Sequence, residues 1–498
     1  MLRLGGRTLT AACAAAIAAG ASPAPVLGHG FERPFALPVP LGLYLTGAAA
    51  AVALSFVVSA VAGRPGGSVP RYSMTPVAGR VARAAVVLPF IGLAWWVTMI
   101  VSGVTGTVHD FVPAVLFWVL LWVGVPITSV LVGNPWPALS PFRAIVSGAE
   151  RLLRPFGVRA IAGVFAYPDA FARWPAVALL LAGLAFELVV PGSFAGGVIG
   201  WMLLVYTAVT LVGIVLFGAT GWLRNAELFD VLFGWFGRIG PIGRRSISGD
   251  LCDGCPEGCS VEHCIDCPDC TAARAAGEQE AVKRPWFAGL TEVRAAGWSD
   301  AAFILLALAG VTYDGLRETV AWGAVVSALF EPVQHAIGVL NTIIALDAIG
   351  LVGTWLLFLA AFALAAAATR ALSSSGPSLS AVAGAYAATL LPIAGGYLVA
   401  HYFTLLVQGV VWLPLLFVDP RSVAPDISWI PSQAIWYVSV VGIVLGHVAA
   451  VVLAHRLALR HGRRRAFLVG APLVLLMLGY TVLSLWIIAQ PLTVEPVT

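Results

Sequence analysis

Charge is scarce in this 498-residue chain: only 10% of residues are Asp, Glu, Lys or Arg, against 60% hydrophobic residues. A soluble domain carries about 25% charged residues. The shortage excludes an ordinary soluble enzyme, a disordered chain and a nucleic-acid binder. Cysteine is almost as confined, because six of the seven lie in one short stretch. No convincing internal repeat is present, so the chain does not read as an inverted-repeat transporter. No clear nucleophile–base pair stands out either. What remains is an all-α polytopic membrane protein with a mean hydropathy of +0.93, for which lipid replaces water as the main solvent.

Residues 1–28 read as a secretory signal. Arg3 and Arg7 form a basic start, Thr8 to Ala21 is a short apolar run, and Ser22 to Pro25 breaks it. Cleavage is expected near Ala24 or after Gly28. The second site would leave His29 as a new amino terminus, whose amine and imidazole suit copper. Ten apolar stretches then follow, near 40–62, 84–104, 111–133, 174–193, 197–219, 300–316, 335–369, 380–410, 434–457 and 469–490.

Basic residues sort by side if each stretch crosses the bilayer. Arg64 to Arg83, Arg143 to Arg173, Arg224 to Arg294, Arg370 and Arg456 to Arg465 fall inside; Arg33, Arg317 and Arg421 fall outside. The expectation is a multi-pass plasma-membrane protein with both ends of the mature chain outside. Its membrane domain comprises residues 29–220 (spans 1–5) and 298–498 (spans 6–10). Apolar stretches with interspersed Arg around 144–160 suit amphipathic helices at the inner interface. Residues 221–297 form a cytoplasmic loop with a small Cys-rich insert at 252–270.

That insert reads C-x2-C-x3-C-x4-C-x2-C-x2-C, from Cys252, Cys255, Cys259, Cys264, Cys267 and Cys270, with His263 inside it. Cytoplasmic thiols stay reduced, so soft-metal ligation is the natural chemistry. Cys252/Cys255 and Cys267/Cys270 would supply four thiolates to one zinc. Cys264, Cys267 and Cys270 also match the first three ligands of a ferredoxin-type iron–sulfur motif, although position 274 is Arg. A structural knuckle without chemistry of its own is the plainer alternative.

Ionisable groups among apolar helices are costly and hence functional leads. They are Glu187, Asp347, His401 and His447, with His455 eight residues beyond His447 on a similar face. His109, Asp314, Glu318 and His335 sit near span ends. With His29 they could line one outward cavity holding zinc, copper or iron. His401 and His447 on adjacent helices could instead bind haem. Any one histidine can also simply fix helix packing.

Several segments together resemble a known family: Gly28-His29-Gly30, Leu37-Pro38-Val39-Pro40, Asn134-Pro135-Trp136, Phe186-Glu187-Leu188-Val189-Val190-Pro191, Tyr313-Asp314-Gly315, Ala400-His401-Tyr402-Phe403-Thr404 and Val444-Leu445-Gly446-His447-Val448. The family is that of multi-pass bacterial membrane proteins labelled fenitrothion hydrolase, and the similarity spans nearly all the membrane part. It implies hydrolysis of organophosphorus esters, and a shared pattern made of His29, Glu187, Asp314, His401 and His447. The Cys-rich insert departs from the family pattern.

Three functions therefore compete. One is a transporter or metal-handling permease for a small molecule or metal ion. Another is a metal-dependent phosphotriester-type hydrolase embedded in the bilayer. The third is a haem-binding redox protein.

Overall fold

The computed structural model describes residues 41–62, 75–77, 80–106, 111–157, 161, 163–246, 279–290, 297–374, 376–419, 422–461 and 465–489. The signal segment, His29, His109 and the cysteine cluster with His263 lie outside them. The helices are α1 (Leu41–Ala62), α2 (Arg80–Thr105), α3 (Phe111–Leu131), α4 (Pro141–Leu153), α5 (Trp174–Leu188), α6 (Gly196–Asn225) and α7 (Leu228–Gly237). After the cysteine segment come α8 (Trp298–Arg317), α9 (Val320–Ile337), α10 (Val339–Leu372), α11 (Leu379–Ala388), α12 (Leu391–Val418), α13 (Ser432–His461) and α14 (Ala466–Ala489).

Among the described residues, eight helical segments are long and apolar enough to cross a bilayer, as expected of a multi-pass membrane protein. Each of the ten expected stretches carries a helix. Two of them, Leu45–Val57 within α1 and the whole of α5, are shorter apolar segments. The expected span at 335–369 is corrected: Gly338, at φ +82°, ends α9 and starts α10, so residue 335 closes a separate helix. The expected span at 380–410 is broken at Thr389 and Leu390. There Pro392 takes the first turn of α12, where its missing N–H costs nothing.

The described chain is mostly helical, consistent with the all-α expectation, and carries one small sheet beside the helices. Strands β1 (Thr75–Pro76), β2 (Ile242–Ser246) and β3 (Gln279–Lys283) form an antiparallel sheet in the order β1-β3-β2. Ser246 pairs with Gln279, so β2 and β3 bracket the segment that contains the six cysteines. Part of residues 221–297 belongs to the bundle rather than to a loop. Apolar α7 buries Phe229, Phe233 and Trp235, and the Glu227 carboxylate caps its start by accepting from Asp230 N at 2.6 Å. Arg284 caps its other end, donating to the carbonyls of Gly237 and Gly240 at 2.9 and 3.2 Å.

Small residues set the closest helix contacts. Gly442 and Gly446 of α13 are four apart, and they meet Gly396 and Pro392 of α12 backbone to backbone. Gly196 and Gly200 of α6 meet Gly103 of α2 in the same way. Without a hydrophobic drive between helices in lipid, such close approach is what gains packing energy.

Helices α5 and α8 run parallel. Arg173 and Asp300 pair at their amino-terminal ends, and Arg317 donates to Leu188 O at 2.8 Å at the other. The molecule therefore has two distinguishable ends. The α7 caps, an Arg143–Asp230 ion pair at 2.8 Å and the sheet belong with the Arg173–Asp300 end. The polar cluster described next belongs with the Arg317 end.

Candidate functional site

The cluster is built on the last turns of α8, where Tyr313, Asp314, Arg317 and Glu318 follow one another. Residues three or four apart share a helix face, so Arg317 lies beside both Tyr313 and Asp314. Asp314 is 1% exposed. One of its oxygens, Oδ2, meets His401 Nε2 at 3.0 Å and accepts from the Tyr402 hydroxyl at 2.8 Å. Two consecutive residues of α12 thus grip a single carboxylate oxygen. Gly315 makes the approach possible, because a Cβ there would lie 2.5 Å from the Tyr397 hydroxyl and 3.8 Å from His401 Cε1.

Tyr313 faces the other way. Its hydroxyl donates to Asp347 Oδ1 on α10 at 3.1 Å, and its ring meets Trp322 edge-on at 5.5 Å. Gly350 leaves room for that ring. Glu187, near the end of α5, is buried and accepts from Trp122 Nε1 at 2.9 Å. It also feels the charges of Asp314 and Arg317. Glu318 lies just past the helix end. Loss of water, and secondarily the charge of Asp314, push its carboxyl above the ordinary carboxylate range; His401 and Arg317 oppose this.

The partner of Glu187 comes from an unusual element. Residues Val115–Gly124 of α3 form a π-helix, and Val125 N bonds Leu120 O five residues back. Pro126 follows and has no N–H with which to hold an α-helical ladder. The wider turn brings Trp118 and Trp122 onto one strip, where Trp118 donates to Ser193 O at 3.1 Å. Such stretches are rare and often mark functional sites.

The structure thus brings together Glu187, Asp314, Asp347 and His401 from the residues singled out in the sequence. It keeps two others apart. His335 is exposed, and about 20 Å of α9 separates it from Trp322, at 1.5 Å per residue. His447 is buried and donates from Nδ1 to Ile443 O at 2.8 Å.

The haem arrangement for His401 and His447 does not fit the register of α12 and α13. Gly396 lies against Gly442 and Pro392 against Gly446, so paired positions sum to 838 and His447 is level with residue 391. Ten residues separate that level from His401, about 15 Å along the helix, too far for two ligands of one iron. Nor do the described residues gather three His, Cys, Asp or Glu side chains as metal ligands.

Tyr313, Arg317, Tyr402 and Trp122 were not foreseen. Arg317 had a readable signal, its spacing from Asp314; the aromatic donors had none, since tyrosine and tryptophan are common at span ends.

His455 is 4% exposed, its ring meets Phe56 edge-on at 5.8 Å, and among the described residues neither ring nitrogen has a hydrogen-bond partner. A buried N–H without an acceptor is destabilising. His455→Leu is therefore expected to stabilise the protein by about 1 kcal/mol, read as a rise in thermal midpoint; a fall of several degrees would show that the imidazole is held by a partner.

No family model, curated protein or solved structure matches the chain.

Proposed function

We propose that the protein is a membrane permease for a cation or proton-coupled solute, with the α8 cluster as its binding site. One observation carries the reading: the carboxyls of Glu187, Asp314, Glu318 and Asp347 interact with one another or with Arg317, the guanidinium of the cluster. Four acids face one permanent cation; Glu187 and Asp314 are buried among apolar helices, Asp347 is half-buried and Glu318 lies exposed at the edge, so the charge of the inner pair is poorly screened by water. Protons or a bound cation relieve it, and a site whose charge depends on what is bound can couple the two. A resident zinc or copper fits less well, because its usual set of three or four ligands does not converge here.

The cysteine insert is the metal-handling part of the proposal. Its six thiols and His263, mounted between β2 and β3, suit zinc or another soft ion. The hydrolase reading would place a water-polarising metal at His401 and Asp314, which supply two ligands where three are usual.

Proteoliposomes loaded with a pH dye and a zinc indicator test the permease. An imposed pH gradient is expected to drive zinc movement in the wild type, and Asp314→Asn or Asp347→Asn to reduce it at least about tenfold, the loss of about 1.4 kcal/mol. Equal fluxes in wild type and both variants, or none above empty vesicles, would sink the proposal.

A further inference from the structure

Helix α4 is amphipathic. Phe142 and Val146 are buried against the bundle, and Ser140 caps the start, accepting from Arg143 N. Its far end behaves differently. Leu152 is 76% exposed and Phe156, in the short 3-10 turn that follows, is 81% exposed. Arg151 and Arg154 are interleaved with them and also exposed. Gly157, at φ +86°, reverses the chain, and the returning segment exposes Val164 and Phe165. Glu150 is turned inward and accepts from Ile161 N at 3.1 Å. Asp169 is an exposed acid on the loop beyond.

The level of this patch is fixed by its contacts with α6. Val164 N and Phe165 N donate to Val215 O and Leu216 O at 3.1 and 2.7 Å, taking up carbonyls released by the break at Gly218, where φ is +75°. Val215 is nineteen residues beyond Gly196, about 28 Å along the helix. That is close to the thickness of the hydrocarbon core. Trp174, the first residue of α5, is exposed at the same end. The patch therefore sits where the acyl region meets the headgroups.

We propose that this patch is a binding site for anionic phospholipid, with Leu152, Phe156 and Phe165 among the acyl chains and Arg151 and Arg154 on the phosphate. Exposed apolar side chains at this depth have lipid for solvent. Two guanidiniums placed between them match an acidic headgroup rather than a neutral one. The proposal is independent of what the α8 cluster carries.

The full-length protein is purified in mild detergent with equal phosphatidylglycerol and phosphatidylcholine. Retained lipid is then counted by native mass spectrometry. The wild type is expected to retain phosphatidylglycerol preferentially and to gain thermal stability from it. In Arg151→Gln/Arg154→Gln the preference is expected to fall on the order of 25-fold, about fivefold per arginine. Leu152→Ser/Phe156→Ser is expected to lower retention of both lipids. Equal retention of the two lipids by the wild type would overturn the proposal, as would an unchanged preference in the double arginine variant. A shift from oligomer to monomer in the variants without change in lipid retention would make the patch a subunit interface and overturn it too.

Discussion

Arg317→Gln is expected to be less stable than the wild type at neutral pH and to recover part of the loss in acid. Arg317 donates to Leu188 O, which ties α8 to α5, and its charge acts on Glu187, Glu318 and Asp347. Losing a hydrogen bond made by a charged group costs about 1.5–3 kcal/mol. Arg317 is half-buried, so a loss on the order of 1–2 kcal/mol is expected.

The pH dependence follows from proton binding. Glu318 is a carboxyl whose folded-state affinity for protons is raised, so the folded state binds more protons than the unfolded one above the ordinary carboxylate pKa of about 4.3. Its contribution to stability is greatest in acid and is lost as pH rises through its folded pKa. Arg317 opposes that shift. Without it the slope steepens, and the difference between wild type and Arg317→Gln widens from pH 5 to pH 8. Thermal unfolding across that range, with Arg317→Lys as the charge-retaining control, measures it. A pH-independent difference would mean that Arg317 acts only through its bond to Leu188.

Gly446→Leu is expected to prevent α12 and α13 from closing. A Cβ at 446 would overlap the Pro392 carbonyl, which is backbone and cannot rotate away. Overpacking that side chains can absorb costs about 1–3 kcal/mol; here the helices themselves must separate, and more than about 3 kcal/mol is expected. His401 and Tyr402 ride on α12, so their hold on Asp314 should fail as well. Gly479→Leu on α14 is the control, since nothing lies within 4 Å of a Cβ there. The yield of monodisperse protein on size exclusion is the readout. Wild-type yield from Gly446→Leu would show that the α12–α13 contact is looser than its glycines indicate.

The membrane class and most of the helical stretches were legible because they depend on local quantities: the length and hydropathy of a run, and breakers at its ends. Glu187, Asp314, Asp347 and His401 stood out for a similar reason, since any ionisable group among apolar residues is conspicuous. The separation of α9 from α10 was less visible, because Gly338 is one small residue in a continuous apolar run and its φ of +82° is a property of the folded backbone. Strands β1 and β3 are equally hard to read, as Thr75–Pro76 becomes a strand only by pairing with β3, and Gln279–Lys283 by pairing with both β1 and β2.

The scarcity of charge, by itself, determined that the chain lives in lipid and that few polar groups would be left to act there. It could not say which of them meet. His401 and His447 look equivalent in sequence, as histidines preceded by a small residue in apolar helices. Only the tertiary structure separates them, placing one against Asp314 and the other against its own helix. The reason is physical: hydropathy is a property of each residue, whereas a hydrogen bond between helices depends on the register at which glycines such as Gly396, Gly442 and Gly446 let their backbones touch.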